Sequence, residues 1–221
     1  MIQPYLIFQD ETEFQRIISV SYTHLRAHET GRNLVCRLLL EKNDANVDII
    51  TSFDQSKKYD GLLLPGVGNF DPAIRSIRDY SALGFHDFVK EKIPVLGICL
   101  GMEMFFQQSQ EGKEKGLDVM NGEVVLLPND MKIPHMGWNN LEITKDSKIL
   151  EGIENDSWVY FVHSYRAKPQ NEDIIVASAD YGIKVPAVVE DKLFFGTQFH
   201  PEKSGKVGSL MIKNFLRVCS K

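Results

Sequence analysis

The segment at residues 97–101, Gly-Ile-Cys-Leu-Gly, constrains the fold of this chain more than any other part of its sequence. It follows an apolar run at residues 93–96 and precedes a largely apolar run at residues 102–106, a pattern that predicts a strand, a sharp turn and a helix. Cys99 stands between two close glycines, as the nucleophile does in a Gly-x-Ser-x-Gly elbow. Such a turn exposes the thiol where helix N–H groups stabilise a thiolate and a developing oxyanion. The segment therefore predicts a nucleophile elbow.

A histidine and a carboxylate far downstream supply the partners that such a cysteine needs. A lone cysteine in an apolar stretch is more often a small buried side chain than a nucleophile. Residues 199–202, however, read Phe-His-Pro-Glu, and positions i and i+2 of an extended segment share a face. Glu202 can therefore orient the imidazole of His200, for which the alternative is a histidine of a loop or of the core. We predict a catalytic triad of Cys99, His200 and Glu202.

Composition and charge argue against several other classes of protein. The chain has 221 residues, 43% hydrophobic and 25% charged, which suits one globular domain with a sizeable core. Its formal charge of −5 argues against a nucleic-acid partner, and no apolar run is long enough to cross a membrane. Three widely spaced cysteines form neither a disulfide framework nor a metal site. Because no export signal is apparent either, we expect a cytoplasmic protein without a metal or cofactor.

Short β-type runs alternate with helical stretches in the first half of the chain. Strands are predicted at residues 47–51, 61–64, 93–96, 123–127, 157–162, 174–177, 187–189 and 193–196. Helices are predicted at residues 71–92, after the elbow, and around residues 210–216. This order predicts an α/β fold of three layers, in which helices flank a mostly parallel central sheet with antiparallel strands added later. No repeat or linker divides residues 1–221, so we expect a single domain.

At this point the sequence resembles the class I (triad) glutamine amidotransferases. The Gly-x-Cys-x-Gly and His-Pro-Glu motifs mark this family, whose fold is flavodoxin-like. Within it, the chain most resembles the glutaminase subunits of imidazole glycerol phosphate synthase, from about residue 47 to the C-terminus. The segments that carry this closer resemblance are residues 64–68 (LPGVG), 134–139 (PHMGWN), 160–165 (YFVHSY) and 198–204 (QFHPEKS).

The resemblance implies a mechanism that agrees with the predicted triad. Cys99 would attack the side-chain amide of glutamine, His200 would carry the proton, and Glu202 would orient His200. A γ-glutamyl thioester would form, ammonia would leave, and water would release glutamate. The oxyanion would be held by the backbone N–H groups of Leu100 and Val67, beside a peptide that flips in this family when the synthase is engaged.

The resemblance also assigns residues to substrate and partner. The positions that match glutamine-binding residues are Gly68, Ser164 and Tyr165, for which the alternatives are a tight turn and a strand end. The implied partner is a HisF-type (β/α)₈-barrel cyclase of histidine biosynthesis, which would form a heterodimer with this chain and use its ammonia to make imidazole glycerol phosphate and an aminoimidazole carboxamide ribotide. The positions that match the subunit interface are Trp138, Asn139, Tyr160 and Lys203; the alternative for each is an ordinary surface residue.

One departure from the family pattern lies close to the nucleophile. Position 103 usually carries a glutamine that contacts the substrate, whereas this chain has Glu103. A carboxylate in the first turn of a helix suits the helix dipole and can accept from the substrate's ammonium, but it also raises the pKa of a neighbouring thiol. We expect activity to persist with weaker binding of glutamine. Unchanged kinetics in Glu103→Gln would make this residue neutral.

A larger departure concerns residues 1–46, which lack the family's opening strand and its Tyr-Gly-x-Gly-Asn turn. Residues 19–42 resemble a peptide that arises when sequencing-adapter DNA is translated. Our hypothesis is that this stretch is a sequence artefact that replaces a genuine strand and most of a helix. The alternative is a divergent N-terminus in which residues 5–8 form the first strand. Recovery of the same codons from source DNA would contradict the artefact hypothesis.

Other functions remain open at the level of sequence. A glutaminase of the same kind could supply a different synthase, such as one that builds an amidino sugar, and neighbouring genes would discriminate between the two. A stand-alone γ-glutamyl hydrolase would work fast without a partner. A non-catalytic binding module is disfavoured by the complete set of Cys99, His200 and Glu202, and failure of a glutamine-analogue electrophile to label Cys99 would favour it again.

Overall fold

The computed structural model describes residues 16–19, 45–49, 59–79, 85 and 93–220. The alternative first strand at residues 5–8 and nearly all of the atypical segment 19–42 lie outside these residues. Residues 1–46 were expected to lack an opening strand, but Arg16–Ser19 forms one that pairs in parallel with Asn46–Ile49 and Gly61–Gly66. The strands are β1 (Arg16–Ser19), β2 (Asn46–Ile49), β3 (Gly61–Gly66), β4 (Val95–Cys99), β5 (Gln108–Ser109), β6 (Gly122–Leu126), β7 (His135–Asn140), β8 (Glu142–Ile143), β9 (Trp158–His163), β10 (Tyr165–Pro169), β11 (Ile175–Asp180), β12 (Lys184–Asp191) and β13 (Phe194–Thr197). The α-helices are α1 (Phe70–Asp79), α2 (Leu100–Glu103) and α3 (Gly205–Cys219).

Eight strands form the central sheet in the order β2-β1-β3-β4-β13-β12-β11-β8. The five strands from β2 to β13 are parallel to one another, and β12, β11 and β8 continue the sheet in antiparallel pairs. The strand order of the parallel part is that of flavodoxin-like folds. The predicted fold class, a mostly parallel sheet with added antiparallel strands, is confirmed.

Alternation along β3 shows why helices cover both faces of this sheet. Leu62 and Leu64 belong to one apolar core, whereas Leu63 belongs to the other, because successive side chains of a strand point to opposite faces. The core of Leu62 and Leu64 includes the buried stripe of α1, and the core of Leu63 includes that of α3. Both stripes recur at helical spacing, so the three layers follow from the pattern of apolar residues.

The bounds of several elements differ from the prediction. The helix predicted at residues 71–92 is described as Phe70–Asp79, and residues 80–84 and 86–92 lie outside the described part. Strand β7 was not predicted, and it pairs with β9 as a separate two-stranded antiparallel ribbon. Strands β10, β6 and β5 form a separate three-stranded sheet. Within the described residues, no helix is long and apolar enough to cross a membrane.

The topology brings three chain segments together at one edge of the central sheet. Strands β3, β4 and β13 are neighbours and parallel, with Gly66 beside Cys99 and Thr197 beside Ile98 in the register. Their carboxyl ends therefore meet at the edge where open α/β sheets bind their ligands. The turn after β3, the elbow after β4 and the His-Pro-Glu segment after β13 consequently face a common space.

Candidate active site

Cys99 occupies a sharp turn between β4 and α2, as the sequence predicts. Its backbone has φ 53° and ψ −111°, and a positive φ is uncommon and strained for a residue with a side chain. The helix begins directly at Leu100. A Cβ atom at Gly101 would collide with the carbonyl oxygen of Leu64, and one at Gly66 would lie 2.6 Å from the backbone nitrogen of Gly101. The elbow thus packs so closely against β3 that both positions require glycine.

His200 and Glu202 are held rigidly beside each other. The Nδ1 atom of His200 lies 2.7 Å from Oε1 of Glu202, and both side chains are buried. Because a carboxylate oxygen only accepts, Nδ1 carries a hydrogen, and Nε2 is the ring nitrogen that can accept a proton from a neighbour. The hydroxyl of Ser204 donates to the carbonyl of His200 over 2.7 Å and fixes the turn. Nε2 is buried without a hydrogen-bond partner among the described residues, as a general base that awaits a proton would be.

One pocket of about 320 Å³ brings together most of the residues that the sequence singled out. Its lining residues are Val67, Gly68, Cys99, Leu100, Glu103, Glu111, Pro134, Val162, His163, Ser164, Tyr165 and His200. The predicted nucleophile, the predicted base, the two predicted oxyanion positions and every predicted glutamine-binding position therefore face the same space. In the described part of the chain, no group of three or more His, Cys, Asp or Glu side chains could hold a metal ion.

The surroundings of Cys99 favour its protonated thiol. Burial raises its pKa well above the usual value, and the carboxyls of Glu103 and Glu202, where they are ionised, raise it further. The N–H of Leu100 and the amide of Gln198 act in the opposite direction. The Sγ atom contacts the carbonyl oxygen of Val162 over 3.9 Å. The predicted role of Cys99 as a nucleophile therefore requires a base that removes this proton.

Glu103 differs from its expected state. Its side chain is buried, and Oε1 accepts a 2.9 Å hydrogen bond from Nε2 of Gln198. Burial raises the pKa of Glu103 to about 8, against the lowering effect of Gln198. The sequence treats this residue as a carboxylate that suits the helix dipole, but at neutral pH most molecules carry it as a neutral acid. In its neutral form Glu103 is closer in charge and shape to the glutamine that is usual at this position than an ionised carboxylate would be.

Glu111 was missed by the sequence reasoning. Its carboxyl lines the same pocket and accepts a 2.9 Å hydrogen bond from the backbone nitrogen of Phe70, the first residue of α1. Burial raises the pKa of this carboxyl. Glu111 stands in a polar turn with no recognisable pattern, so only the tertiary contact with α1 reveals it. His163, Pro134 and Val162 also line the pocket without having been selected.

The predicted interface residues lie outside the pocket, on or beside the ribbon of β7 and β9. On the outer face of this ribbon, Met136, Trp138 and Trp158 are 61%, 53% and 58% exposed. Tyr160 packs edge-on against Trp138 at 5.9 Å between ring centroids, and Nζ of Lys203 lies 5.2 Å from the Tyr160 ring.

Asn139 is placed differently from the other three predicted interface residues. It belongs to the inner face of the ribbon, because its register partner Val159 is fully buried. Its Nδ2 atom donates to the carbonyl of Asp180 over 2.8 Å. Trp138, Tyr160 and Lys203 thus form one outward patch to which the side chain of Asn139 does not contribute.

Comparison with known proteins agrees with this geometry. The class-I glutamine amidotransferase family matches residues 18–219. An imidazole glycerol phosphate synthase subunit HisH from Methanocaldococcus jannaschii is 44% identical over 203 residues, which are 91% of this chain and 98% of the relative. The subunit of the same name from Caldanaerobacter subterraneus is 46% identical over 76% of this chain and 83% of the relative.

Solved structures support the fold. A GMP synthase subunit from Thermoplasma acidophilum superposes with a TM-score of 0.68 at 17% identity, over 96% of both chains. A glutamine amidotransferase from Thermotoga maritima superposes with a TM-score of 0.64 at 14% identity, over 92% of this chain and 98% of that one. At such low identity these two matches show the fold alone. The family match and the HisH relatives together show that this chain belongs to the class-I glutamine amidotransferases, as a HisH-type subunit.

Proposed function

We propose that this chain hydrolyses glutamine to glutamate and ammonia through a thioester on Cys99. The observation that carries the proposal is the elbow thiol and the His200–Glu202 pair lining or backing one pocket. The backbone of Cys99 is strained, with a φ of 53°, and such strain clusters at functional sites. A nucleophile that must face a buried base accounts for it.

The reaction proceeds in two halves. Nε2 of His200 takes the proton of Cys99 as the thiolate attacks the amide carbon of glutamine, and the N–H groups of Leu100 and Val67 stabilise the oxyanion. The C–N bond then breaks, and the protonated His200 gives its proton to the departing ammonia. Water attacks the thioester with His200 as the base, and the C–S bond breaks to release glutamate and the thiol. Glu202 stabilises the imidazolium in both halves.

Glutamine is proposed to lie with its amino acid end away from Cys99. Glu111 supplies the carboxylate that accepts from the substrate's ammonium, since it lines the pocket and keeps one oxygen beyond its bond to Phe70. Glu103 contacts the substrate beside the nucleophile, and the segment of Ser164 and Tyr165 forms the opposite wall. Gly68, in a positive φ of 111°, shapes the turn next to the oxyanion position.

The ammonia is proposed to serve a HisF-type (β/α)₈-barrel cyclase in histidine biosynthesis. The curated relatives are named as subunits of imidazole glycerol phosphate synthase. The outer face of the ribbon supports a protein partner, because clustered exposed aromatic and methionine side chains are typical of interface centres. Trp138, Tyr160 and Lys203 are the proposed anchors. Both cysteines in the described part, Cys99 and Cys219, are free thiols, which suits a reducing cytoplasm.

A glutaminase assay with and without the cyclase and its nucleotide substrate tests the proposal. We expect glutamate release to be slow for the chain alone and strongly stimulated in the complex. Cys99→Ala should abolish it, whereas Cys219→Ala should keep it, because Cys219 lies in the core against Gly61. Equal activity with and without the cyclase would favour a stand-alone hydrolase. Activity that survives in Cys99→Ala would contradict the mechanism.

A further inference from the structure

The inner face of the ribbon carries a chain of hydrogen bonds that ends at the glutamine pocket. Nδ1 of His163 lies 2.7 Å from the carbonyl oxygen of Tyr165. Nδ1 of His135 lies 3.0 Å from Nε2 of His163, and Nδ2 of Asn139 lies 3.4 Å from Nε2 of His135. The two histidines are register partners on β7 and β9, so the pairing of the strands itself creates the contact.

The chemistry of the end group determines the direction of every bond in this chain. A carbonyl oxygen only accepts, so Nδ1 of His163 carries hydrogen. Nε2 of His163 is then the acceptor for an N–H on Nδ1 of His135, and Nε2 of His135 in turn accepts from Asn139. The amide of Asn139 agrees with this orientation, because its Oδ1 accepts from the backbone nitrogen of Asn140 and its Nδ2 donates to the carbonyl of Asp180.

The surroundings hold both rings in place and keep them neutral. His135 is 3% exposed and is stacked between Phe161 and Tyr181, with ring centroids 4.6 and 3.9 Å away. His163 is 5% exposed and lines the pocket. Burial lowers the pKa of His135 to about 4 and that of His163 to about 3. Both imidazoles therefore keep a single hydrogen at physiological pH.

We propose that His163 is a positioning residue for bound glutamine, and that His135 acts through it by reinforcing the Nδ1–H tautomer that the Tyr165 carbonyl favours. The proposal rests on the glutaminase function stated above. Residues 162–165 form one wall of the pocket, and the hydrogen bond from His163 to the Tyr165 carbonyl holds this segment in its conformation. This segment places the carbonyl of Val162 beside Sγ of Cys99 and presents Ser164 and Tyr165 to the pocket. Without the N–H of His135, only the Tyr165 carbonyl favours this tautomer, so the His163 ring changes tautomer and releases the segment 162–165 more readily.

Two variants of His135 separate the hydrogen bond from the packing. His135→Phe keeps a ring between Phe161 and Tyr181 but has no donor, whereas His135→Asn keeps a donor near the Nδ1 position but loses the ring. In the complex with the cyclase, we expect the KM for glutamine to rise about tenfold in His135→Phe and less than about threefold in His135→Asn. The kcat should change less than about twofold in both, because binding rather than bond breaking is affected.

A merely structural role for His135 predicts the opposite ranking. If His135→Phe is equal to or better than His135→Asn in KM, the positioning role is overturned. The nitrogen chemical shifts of ¹⁵N-histidine in the wild-type complex provide a second test that needs no variant to fold. A neutral Nδ1–H tautomer of His163 is expected, and an Nε2–H tautomer would overturn the proposal.

Failure of the glutaminase function would be recognised separately. Labelling of Cys99 in the wild-type complex by a glutamine-analogue electrophile reports on the nucleophile and on the pocket. If the wild-type complex is neither labelled nor active on glutamine, the proposed function fails. The tautomer of His163 still reports on the hydrogen-bond chain in that case. If the wild-type complex is active and the KM ranking is reversed, the positioning role alone fails.

Discussion

Replacing Glu103 by glutamine should stabilise the fold by an amount that grows as the pH rises. The carboxyl is buried, its pKa is about 8 in the folded protein, and its ordinary value is 4.5. A glutamine side chain has the same shape as that of Glu103 but does not ionise. Its carbonyl oxygen can still accept the hydrogen bond from Nε2 of Gln198. The variant therefore removes the cost of burying an ionisable group and little else.

The sign and size of the effect follow from linkage between protonation and folding. Above pH 4.5 the unfolded chain releases the proton of Glu103 while the folded protein retains it, so wild-type stability falls with rising pH until about pH 8. At about 1.4 kcal/mol for each pKa unit, the loss is about 3 kcal/mol at pH 7 and about 5 kcal/mol above pH 8. These are upper values, because a folded state that admits water around Glu103 would lower them.

Urea unfolding at pH 5, 6, 7 and 8 measures this difference directly. We expect wild type and Glu103→Gln to differ little at pH 5 and the gap to widen at each step. Glu123→Gln is the matched control, since Glu123 pairs with Lys168 at the surface and the pKa of its carboxyl is lowered rather than raised. A gap between wild type and Glu103→Gln that does not change with pH would refute the assignment of a neutral, buried acid.

Three further predictions concern acid stability, the elbow and the partner. Burial lowers the pKa of His163 from 6.5 to about 3, so the free energy of unfolding should fall as the pH drops below 6.5, by about 2 kcal/mol at pH 5. In urea unfolding, His163→Asn should reduce this loss of stability at acid pH. An unchanged loss in the variant would contradict the prediction. Gly101→Ala should lower the free energy of unfolding by about 3 kcal/mol or more and abolish glutaminase activity, because the added Cβ would collide with the Leu64 carbonyl. A folded, active variant would show that the elbow has room for a side chain. Trp138→Ala should weaken binding of the cyclase at least about tenfold, as measured by calorimetry. The melting temperature of the chain should not change, because the Trp138 side chain is 53% exposed. An unchanged affinity would show that Trp138 does not belong to the interface.

Local sequence patterns were sufficient to predict the turn at Cys99 and the contact between His200 and Glu202. Cys99 between two glycines after an apolar run predicted the turn, and the spacing of His200 and Glu202 predicted their hydrogen bond. Parallel order was predictable because alternating strands and helices leave few other arrangements. Strand β7 has a weak β-propensity, because it contains a glycine, two asparagines and an exposed tryptophan. It exists as a strand because β9 pairs with it.

The sequence by itself predicted a thiol nucleophile, a histidine base and the family of folds that can present them, because those predictions depend on neighbours within a few positions. Only the tertiary structure decided the pKa of Glu103, since burial raises it and the hydrogen bond from Gln198 opposes that rise. It also decided that Glu111 reaches the pocket and that His135 faces His163. Desolvation and hydrogen bonding between residues far apart in the chain exist only after the sheet and the ribbon have assembled.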